Sequence, residues 1–563
     1  MKKNEQAPIT FVVRGQALKA GTGAGTGGHG LTRGSAGAGT LPGRVKAAVR
    51  LGAVRGTTTT QPLVAVPGED IVALHIAGGP VLLLHPANAR DLLLAQNGTP
   101  TRGAAADGPV PVGATLHWQG LETGTPTRGL LGKVVLAAFE VLTGFSKDEA
   151  TRFAASQVVA RVDAQVEAGV YTLTPEVLPK LKGSGRRLAL VPASTEPMLV
   201  MIHGTFVETT STFGKLWTQH PQRVQQLFQH YGGRVYALEH QTLGKSPVAN
   251  ALELVKALPQ GARLHLVTHS RGGLVGEVLA RMAHQRAFVA ADEAHFPGAA
   301  YAPQRQELAE LAQAMKARNV RVERVVRVAC PARGTLLASK RLDAYLSVFK
   351  WGIEATGVPL VPAVLDFLAE VARRRADPLQ LPGMAAMIPD TPLLNWLNTA
   401  PEKIAGELRV VAGDMEGDSL GSWLKTLLTD AYYWTDNDIV VQTRSMYAGA
   451  PREGGASFLL DQGGKTTHFA YFVNPRTVEA VVEGLVQPQP PVGFAPIGPL
   501  SWAGKDAGGL RGVQHDPALP AVFVLPGILG SNLAADGRRI WLGLGLIGGL
   551  AQLRYEPGDQ QRV

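Results

Sequence analysis

A serine at position 270 stands where a predicted strand runs directly into a predicted helix, in LHLVTHSRGGLVGEVL. Thr268 lies two residues before it and Gly272 two residues after it. The sharp turn that exposes a nucleophilic serine between a strand and a helix brings these two flanking positions close together, so both must be small. The spacing predicts that Ser270 is the nucleophile of an acyl-transfer reaction, with threonine in place of the usual first glycine.

A second serine matches the pattern G-x-S-x-G literally, in the segment Gly417-Asp418-Ser419-Leu420-Gly421. It lies five residues after the end of the preceding predicted strand and is therefore not at a strand-to-helix turn. The letters GDSL superficially resemble the GDSL hydrolases, but in those the block stands near the start of the catalytic domain and a D-x-x-H pair follows it. No such pair follows here, so we favour Ser270 over Ser419.

A serine nucleophile needs a base, and in this type of turn the order along the chain is serine, acid, histidine. Three histidines lie more than fifteen residues after this strand–serine–helix unit: His295, His468 and His515. His295 precedes the later strands, and His515 lies in the Pro/Gly-rich stretch GKDAGGLRGVQHDPALP. His468 directly follows the predicted last strand, ASFLLDQ, and is the predicted base.

The acid that orients the histidine has three candidates. Asp438, in TDNDIVVQTRSM, stands just before an apolar run at the predicted rim of the sheet and is favoured. Asp414 ends a predicted strand and is the alternative acid, although it also suits a structural role at the following turn. Asp436 ranks behind both.

Two backbone N–H groups are expected to stabilise the oxyanion. One belongs to Arg271, which follows the nucleophile, and the other to Thr205 in the turn His203-Gly204-Thr205-Phe206. Glycine at 204 allows the chain to turn tightly. His203 is expected to pack structurally rather than to react.

The elements that position these residues alternate between strands and helices from about residue 190 onwards. Such alternation predicts an α/β fold with a mostly parallel sheet and helices on both faces, whose site lies at the carboxyl ends of the strands. An insert at about 335–400 is apolar at helical spacing. Its similarity to the inserts of lipase-like folds implies a lid, and a helical pair that packs only on the sheet is the alternative. The predicted hydrolase domain covers 191–486.

The remaining segments have no predicted chemistry. Residues 1–43 contain a Gly-rich stretch and are predicted to be a disordered arm, so the G-x-G-x-x-G match at 23–28 is discarded. Residues 44–190 are predicted to be a β-rich module with helices, the helical spacing falling at 129–168. A Pro/Gly linker is predicted at 487–520, and 521–563 resembles the incomplete start of a second hydrolase-like domain, in which Ser531 is not expected to be a nucleophile.

Composition narrows the function classes. The chain has 563 residues, 45% hydrophobic, and a single cysteine, which excludes a disulfide framework. Of the net charge of +10, residues 1–60 carry +8, so the basic character belongs to the arm and no nucleic-acid partner is expected. No cofactor or metal is predicted. Neither a signal peptide nor a membrane-spanning segment is evident, and a cytoplasmic location is expected.

Four segments, MIHGTF, VTHSRGG, NDIVV and TTHFAYF, occur in this order and resemble the bacterial lipase/esterase branch of the α/β-hydrolases. Lecithin–cholesterol acyltransferase and the GPI inositol-deacylases are similar in outline. The resemblance covers about 195–485 and implies an ester or lipid-like substrate. It also implies these roles: oxyanion hole Thr205 and Arg271, nucleophile Ser270, acid Asp438, base His468. An acyltransferase, or a non-catalytic binding module of a larger multidomain bacterial protein, are the alternatives.

Overall fold

The computed structural model describes most of the first 497 residues and little beyond them. The described residues are 7–18, 43–51, 59–96, 108–119, 131–145, 159–335, 342–355, 362–374, 381–400, 402–413, 443–461, 468, 470–497, 534–535 and 538–539. The chain divides into two compact units, 1–502 and 503–563. The domain boundaries expected from the sequence stay a prediction.

The first unit contains an N-terminal sheet of eight strands, six of which follow the order β3-β1-β2-β8-β4-β5, while β6 pairs with β1 and β7 with β8. All of its pairings are antiparallel except the one between β1 and β6. The strands are β1 Ile9–Leu18, β2 Arg44–Arg50, β3 Thr59–Ala65, β4 Ile71–Ile76, β5 Val81–Leu84, β6 Val110–Val112, β7 Thr115–Gln119 and β8 Leu131–Thr143, with helix α1 at Pro86–Gln96.

Two parts of this sheet correct the sequence analysis. Ile9–Leu18 was expected within a disordered arm, whereas it is a strand that buries alternate residues, among them Phe11 and Val13. Leu131–Thr143 has the spacing of a helix but forms a strand between β2 and β4. A strand that is covered on both faces is apolar at successive positions, and its periodicity then resembles that of a buried helix.

The second sheet of the first unit has nine strands in the order β10-β9-β12-β11-β13-β14-β15-β16-β17. The six strands from β12 to β16 in this order are parallel, and the outer pairings are antiparallel. The strands are β9 Gly169–Thr172, β10 Arg187–Leu188, β11 Met198–Ile202, β12 Val235–Glu239, β13 Arg263–His269, β14 Arg321–Val328, β15 Glu407–Gly413, β16 Ala456–Asp461 and β17 Ala495–Pro496.

Helices cover both faces of this sheet. On strand β11, Val200 and Ile202 belong to one apolar cluster and Leu199 and Met201 to another, because successive side chains of a strand point to opposite faces. The first cluster includes α4 Pro247–Ala257, α5 Gly272–Gln285 and α7 Ala302–Arg318; the second includes α2 Thr209–Gln219, α3 Pro221–His230 and α13 Pro475–Val486. A short helix, α6 Ala290–Glu293, and a 3₁₀ turn, Ala299–Tyr301, precede α7. The fold is of the α/β class that the sequence predicts.

The insert between β14 and β15 is helical. Its helices are α8 Leu342–Ala355, α9 Pro362–Arg374, α10 Pro382–Ala385 and α11 Pro392–Asn398, and α12 Thr443–Met446 follows β15. In the second unit the described residues form one antiparallel pairing, β18 Ala534–Ala535 with β19 Arg538–Arg539. The Gly-rich segment at 23–28, Ser419, His515 and Ser531 lie outside the described residues.

Candidate active site

Ser270 occupies a strained turn between β13 and α5. Its φ is 53°, in the left-handed region that few non-glycine residues adopt. Its backbone N–H donates to the carbonyl of Val328 on the neighbouring strand at 2.9 Å, and its own carbonyl accepts from the N–H of Gly273 at 2.9 Å. These bonds hold the turn on both sides. Helix α5 begins at Gly272, two residues after Ser270, so the positive end of its dipole lies at this turn.

The glycine two positions after the serine is required by the neighbouring strand. A Cβ on Gly272 would meet the carbonyl oxygen of His203 and would lie 2.6 Å from that of Ile202, both of them backbone atoms. A second close approach joins the two turns, since a Cβ on Gly204 would lie 2.9 Å from the Cβ of Ser270. Gly204 and Gly272 thus allow the ends of β11 and β13 to pack closely.

Thr268, the departure from the usual glycine, is fully buried. Its methyl group, Cγ2, faces α5 one turn further along, where a Cβ on Gly276 would lie 3.1 Å away. Glycine at position 276 accordingly provides the space for the larger residue at position 268.

A small cavity lies in front of Ser270. Its polar wall includes Gly204, Thr205 and His269, and its apolar wall includes Phe349 and Ile353 of α8. The remaining lining residues are Val207, Ser211, Thr212 and Phe472. Small-molecule sites commonly combine apolar walls with a few polar groups, and the lining of this cavity has both.

The turn after β11 also carries strain. Phe206, next to Thr205, has a φ of 61°, which is costly for a bulky side chain. Three contacts hold it: its N–H donates to Thr242 Oγ1 at 3.2 Å, and its ring lies 5.7 Å from that of Phe349 and 5.5 Å from that of Phe367. Helices α8 and α9 of the insert therefore support the turn that contains Thr205.

The side chain of Arg271 is completely buried beneath the turn. Its guanidinium donates to the carbonyls of Gly383 (3.0 Å) and Lys245 (2.5 Å) and to Asn250 Oδ1 (3.0 Å). Burial lowers the pKa of Arg271 to about 9, and the charge of Asp163 opposes that shift. The guanidinium remains charged at neutral pH and ties the turn that contains Ser270, called the elbow below, to α4 and α10. Only the backbone of Arg271 is a candidate for the oxyanion site.

His203 is buried and packs as the sequence analysis expects. Its Nδ1 lies 2.9 Å from the carbonyl oxygen of Gly204, and its ring stacks on that of His240 with centroids 4.0 Å apart. Burial lowers the pKa of His203 to about 4. A neutral, stacked ring of this kind supports the turn beside the cavity.

His468 is fully buried and lies next to the residue that precedes the serine. Its ring centroid is 4.9 Å from that of His269 and 6.3 Å from that of Phe349, both of which line the cavity. Ser270 and Thr205 thus line the cavity, and the ring of His468 lies beside two of its lining residues. The three candidate acids, Asp414, Asp436 and Asp438, lie outside the described residues; β15 ends at Gly413 and α12 begins at Thr443, on either side of them.

His269 is the residue of this site that the sequence analysis missed. Its Nε2 lies 2.9 Å from the carbonyl oxygen of His468, and within the described part of the chain its Nδ1 has no hydrogen-bond partner. Its place directly before the nucleophile was the available signal. Phe349 and Ile353 were also missed individually, although the apolar helical spacing of the insert pointed to their helix.

Cys330, the single cysteine, lies near the elbow without being reactive. It is buried against the helix, where a Cβ on Gly273 would lie 2.6 Å from the Cβ of Cys330. Burial raises the pKa of the Cys330 thiol to about 12, and a protonated thiol is a poor nucleophile.

The described ranges contain neither a cluster of metal-ligating side chains nor a helix that could span a membrane. No group of three or more His, Cys, Asp or Glu side chains there is arranged to hold a metal ion. Among the same residues, no helix combines the length and the apolar character needed to cross a membrane.

A family model described as a domain of unknown function, DUF7379, matches residues 176–300 and 304–486, more than half of the chain. The chain therefore belongs to the DUF7379 family. Curated proteins provide no match.

Several solved structures are similar to this chain at low identity. Lipase 1 from Pelosinus fermentans is 15% identical, with 52% of this chain and 99% of that chain covered and a TM-score of 0.33. The Staphylococcus hyicus lipase is 13% identical, with 53% and 95% covered and a TM-score of 0.32. The mature Bacillus licheniformis lipase BlEst2 is 14% identical, with 50% and 88% covered and a TM-score of 0.25.

Proposed function

We propose that this chain is a serine hydrolase that cleaves carboxylic esters, with Ser270 as nucleophile, His468 as base and Asp438 as the acid that orients the base. The observation that carries the proposal is the backbone of Ser270, held at a φ of 53° at the tip of a strand-to-helix turn that faces a cavity. Strained backbone of this kind is concentrated at functional sites, where the surrounding structure maintains it.

The proposed mechanism passes through an acyl-enzyme. Ser270 Oγ bonds to the ester carbonyl carbon while its proton passes to the imidazole of His468, and the N–H groups of Thr205 and Arg271 stabilise the oxyanion. The bond to the leaving alcohol then breaks, and His468 gives that alcohol the proton. Water attacks the acyl-enzyme with the same help and releases the carboxylic acid and free Ser270.

The walls of the cavity favour an acyl group over a charged substrate. Phe349, Ile353 and Phe472 provide apolar surface opposite the polar turn. An acyl chain that leaves water for such a wall gains roughly 0.8 kcal/mol for each buried methylene. We expect esters of short and medium-length carboxylic acids to be substrates, with the insert as the lid or wall that excludes water.

The test combines a variant with active-site labelling. Ser270→Ala is expected to remain folded and to lose turnover of p-nitrophenyl acetate and butyrate, and a fluorophosphonate probe is expected to label Ser270 in the native protein, as shown by peptide mapping. Ser419→Ala is the matched control, because Ser419 stands in the literal G-x-S-x-G segment. A label on Ser419, or full turnover by Ser270→Ala, contradicts the proposal; a native protein that neither turns over nor labels favours a binding module.

A further inference from the structure

Helix α8 lies between the N-terminal sheet and the cavity. Asp343 and Ser347, four residues apart, form one pair on this helix, and Phe349 and Ile353 form another. Each pair shares a face, and the six-residue offset between them turns the second face about 120° from the first, at 3.6 residues per turn. One face meets the N-terminal sheet and the other lines the cavity with Ser270.

The first face bonds to the outer strand of the sheet, β5, and to the residues directly after it. Ser347 Oγ accepts the N–H of Leu83 at 2.9 Å, and Asp343 Oδ2 accepts the N–H of His85 at 2.9 Å and the amide of Asn88 at 2.8 Å. Asp343 and Ser347 are 4% and 1% exposed, respectively. Strand β5 stands at the end of its sheet, so α8 provides the partners that its outer backbone groups lack in the ladder.

Helix α9 makes a second attachment to the same sheet. Ala369 and Ala372 pack in an apolar cluster with side chains of the sheet, and Arg373 Nη1 donates to the carbonyl of Gly68 at 2.7 Å. The partners in the cluster are Ile71, Ala73, Leu83 and Leu142. Both long helices of the insert therefore rest on the N-terminal sheet.

The second face of α8 determines what Ser270 faces. Phe349 and Ile353 line the cavity, and Phe349 also contacts Phe206 and His468, with ring centroids 5.7 Å and 6.3 Å away. A movement of α8 away from β5 would consequently move the apolar wall of the cavity. The hydrogen bonds of Asp343 and Ser347 hold α8 against the N-terminal sheet, on the side of the helix away from that wall.

We propose that Asp343 and Ser347 are positioning residues through which the N-terminal sheet determines the acyl-chain selectivity of Ser270. The inference rests on the proposed ester hydrolysis and deepens it. In this arrangement the insert provides the apolar wall of the substrate site, and the N-terminal sheet holds the other face of helix α8 in place.

Selectivity between two acyl lengths is the measurement that separates this role from simple stabilisation. The quantity is the ratio of kcat/KM for p-nitrophenyl octanoate to that for p-nitrophenyl acetate. Ser347→Ala is expected to raise the ratio about tenfold, the scale at which a hydrophobic pocket discriminates chain length, while turnover of the acetyl ester stays nearly unchanged. Ser347→Thr, which keeps the hydroxyl, is expected to keep the native ratio.

Ser246→Ala is the matched control, because Ser246 is also buried and its hydroxyl also accepts a backbone N–H, that of Ala249, at 3.0 Å. It is expected to lower Tm without changing the ratio. If Ser347→Ala lowers Tm in the same way and leaves the ratio unchanged, the contacts are structural only and the inference is overturned. Should Ser347→Ala not fold, Asp343→Asn, which keeps one acceptor oxygen, is measured in the same assay, and an unchanged ratio there overturns the inference as well.

Ester turnover by the native protein distinguishes failure of this inference from failure of the proposed function. An active native enzyme with a ratio that the variants do not change contradicts only the positioning role. A native enzyme without ester turnover contradicts the proposed function, and the selectivity inference falls with it.

Discussion

Nε2 of His269 lies 2.9 Å from the backbone carbonyl oxygen of His468. A carbonyl oxygen only accepts, so Nε2 carries the proton and donates it. Burial lowers the pKa of His269 to about 3, so the ring is neutral at ordinary pH and Nδ1 has no proton. The residue before the nucleophile therefore holds the backbone of the candidate base.

The donor atom at Nε2 is expected to matter more than the ring. In His269→Gln the side-chain amide nitrogen has a reach similar to that of Nε2 and keeps a donor for the His468 carbonyl. In His269→Asn the amide nitrogen reaches only as far as Nδ1 does in histidine, so the bond to the His468 carbonyl is lost. We expect the glutamine variant to keep most of the native kcat and the asparagine variant to lose about tenfold or more, with KM little changed, because misplaced catalytic groups slow the chemical step.

Steady-state kinetics on p-nitrophenyl acetate, with circular dichroism to verify folding, measure the difference. Equal kcat values for the two folded variants would show that the bond from His269 does not position His468.

The two glycines of the elbow helix are expected to differ in their tolerance of alanine. Gly272→Ala places a Cβ against the backbone oxygens of Ile202 and His203, which cannot rotate away, whereas Gly276→Ala meets the methyl group of Thr268 at 3.1 Å. Overpacking costs about 1–3 kcal/mol, or more where backbone must move. We expect Gly272→Ala to reduce both Tm and esterase activity strongly, and Gly276→Ala to reduce Tm mildly.

Thr268→Ser combined with Gly276→Ala tests the same contact from the other side. Serine lacks the methyl group that faces Gly276, so the double variant is expected to recover the Tm lost in Gly276→Ala. The measurement is the Tm of Gly276→Ala, of Thr268→Ser and of the double variant by thermal unfolding. If the double variant loses as much Tm as the two single variants together, Gly276 does not provide the space for Thr268.

The elbow and the parallel sheet were predictable because their signals are local. Apolar runs that end at a turn predicted β11, β13 and β14, and Ser270 stands directly at one strand end. The strand Leu131–Thr143 was not predictable in this way, because a strand that is covered on both faces is apolar at successive positions and resembles a buried helix. The bonds from Asp343 and Ser347 to the N-terminal sheet join residues about 260 positions apart, and no pattern in either segment encodes the pairing.

The buried histidines are expected to make stability sensitive to acid. Burial lowers the pKa of His203 to about 4 and the pKa values of His265 and His269 to about 3, from an ordinary value of 6.5. Each of these rings binds a proton readily only after unfolding. Their contribution to the free energy of unfolding is therefore fully present above pH 6.5 and is lost as the pH falls toward the folded pKa, by about 1.4 kcal/mol per pH unit for each ring.

The variant His269→Gln isolates one of these contributions. Burial also raises the pKa values of Glu239 and Asp343, and these carboxyl groups favour the folded state as the pH falls. The pH dependence of the native protein's free energy of unfolding is therefore the sum of opposing contributions. Subtracting the free energy of unfolding of the variant from that of the native protein removes the shared contributions and leaves that of His269. We expect urea unfolding at pH 6, 5 and 4 to show the variant gaining about 1.4 kcal/mol per pH unit relative to the native protein as the pH falls. Parallel pH profiles for the two proteins would mean that His269 takes up its proton in the folded state, and the neutral donor to His468 would then be wrong.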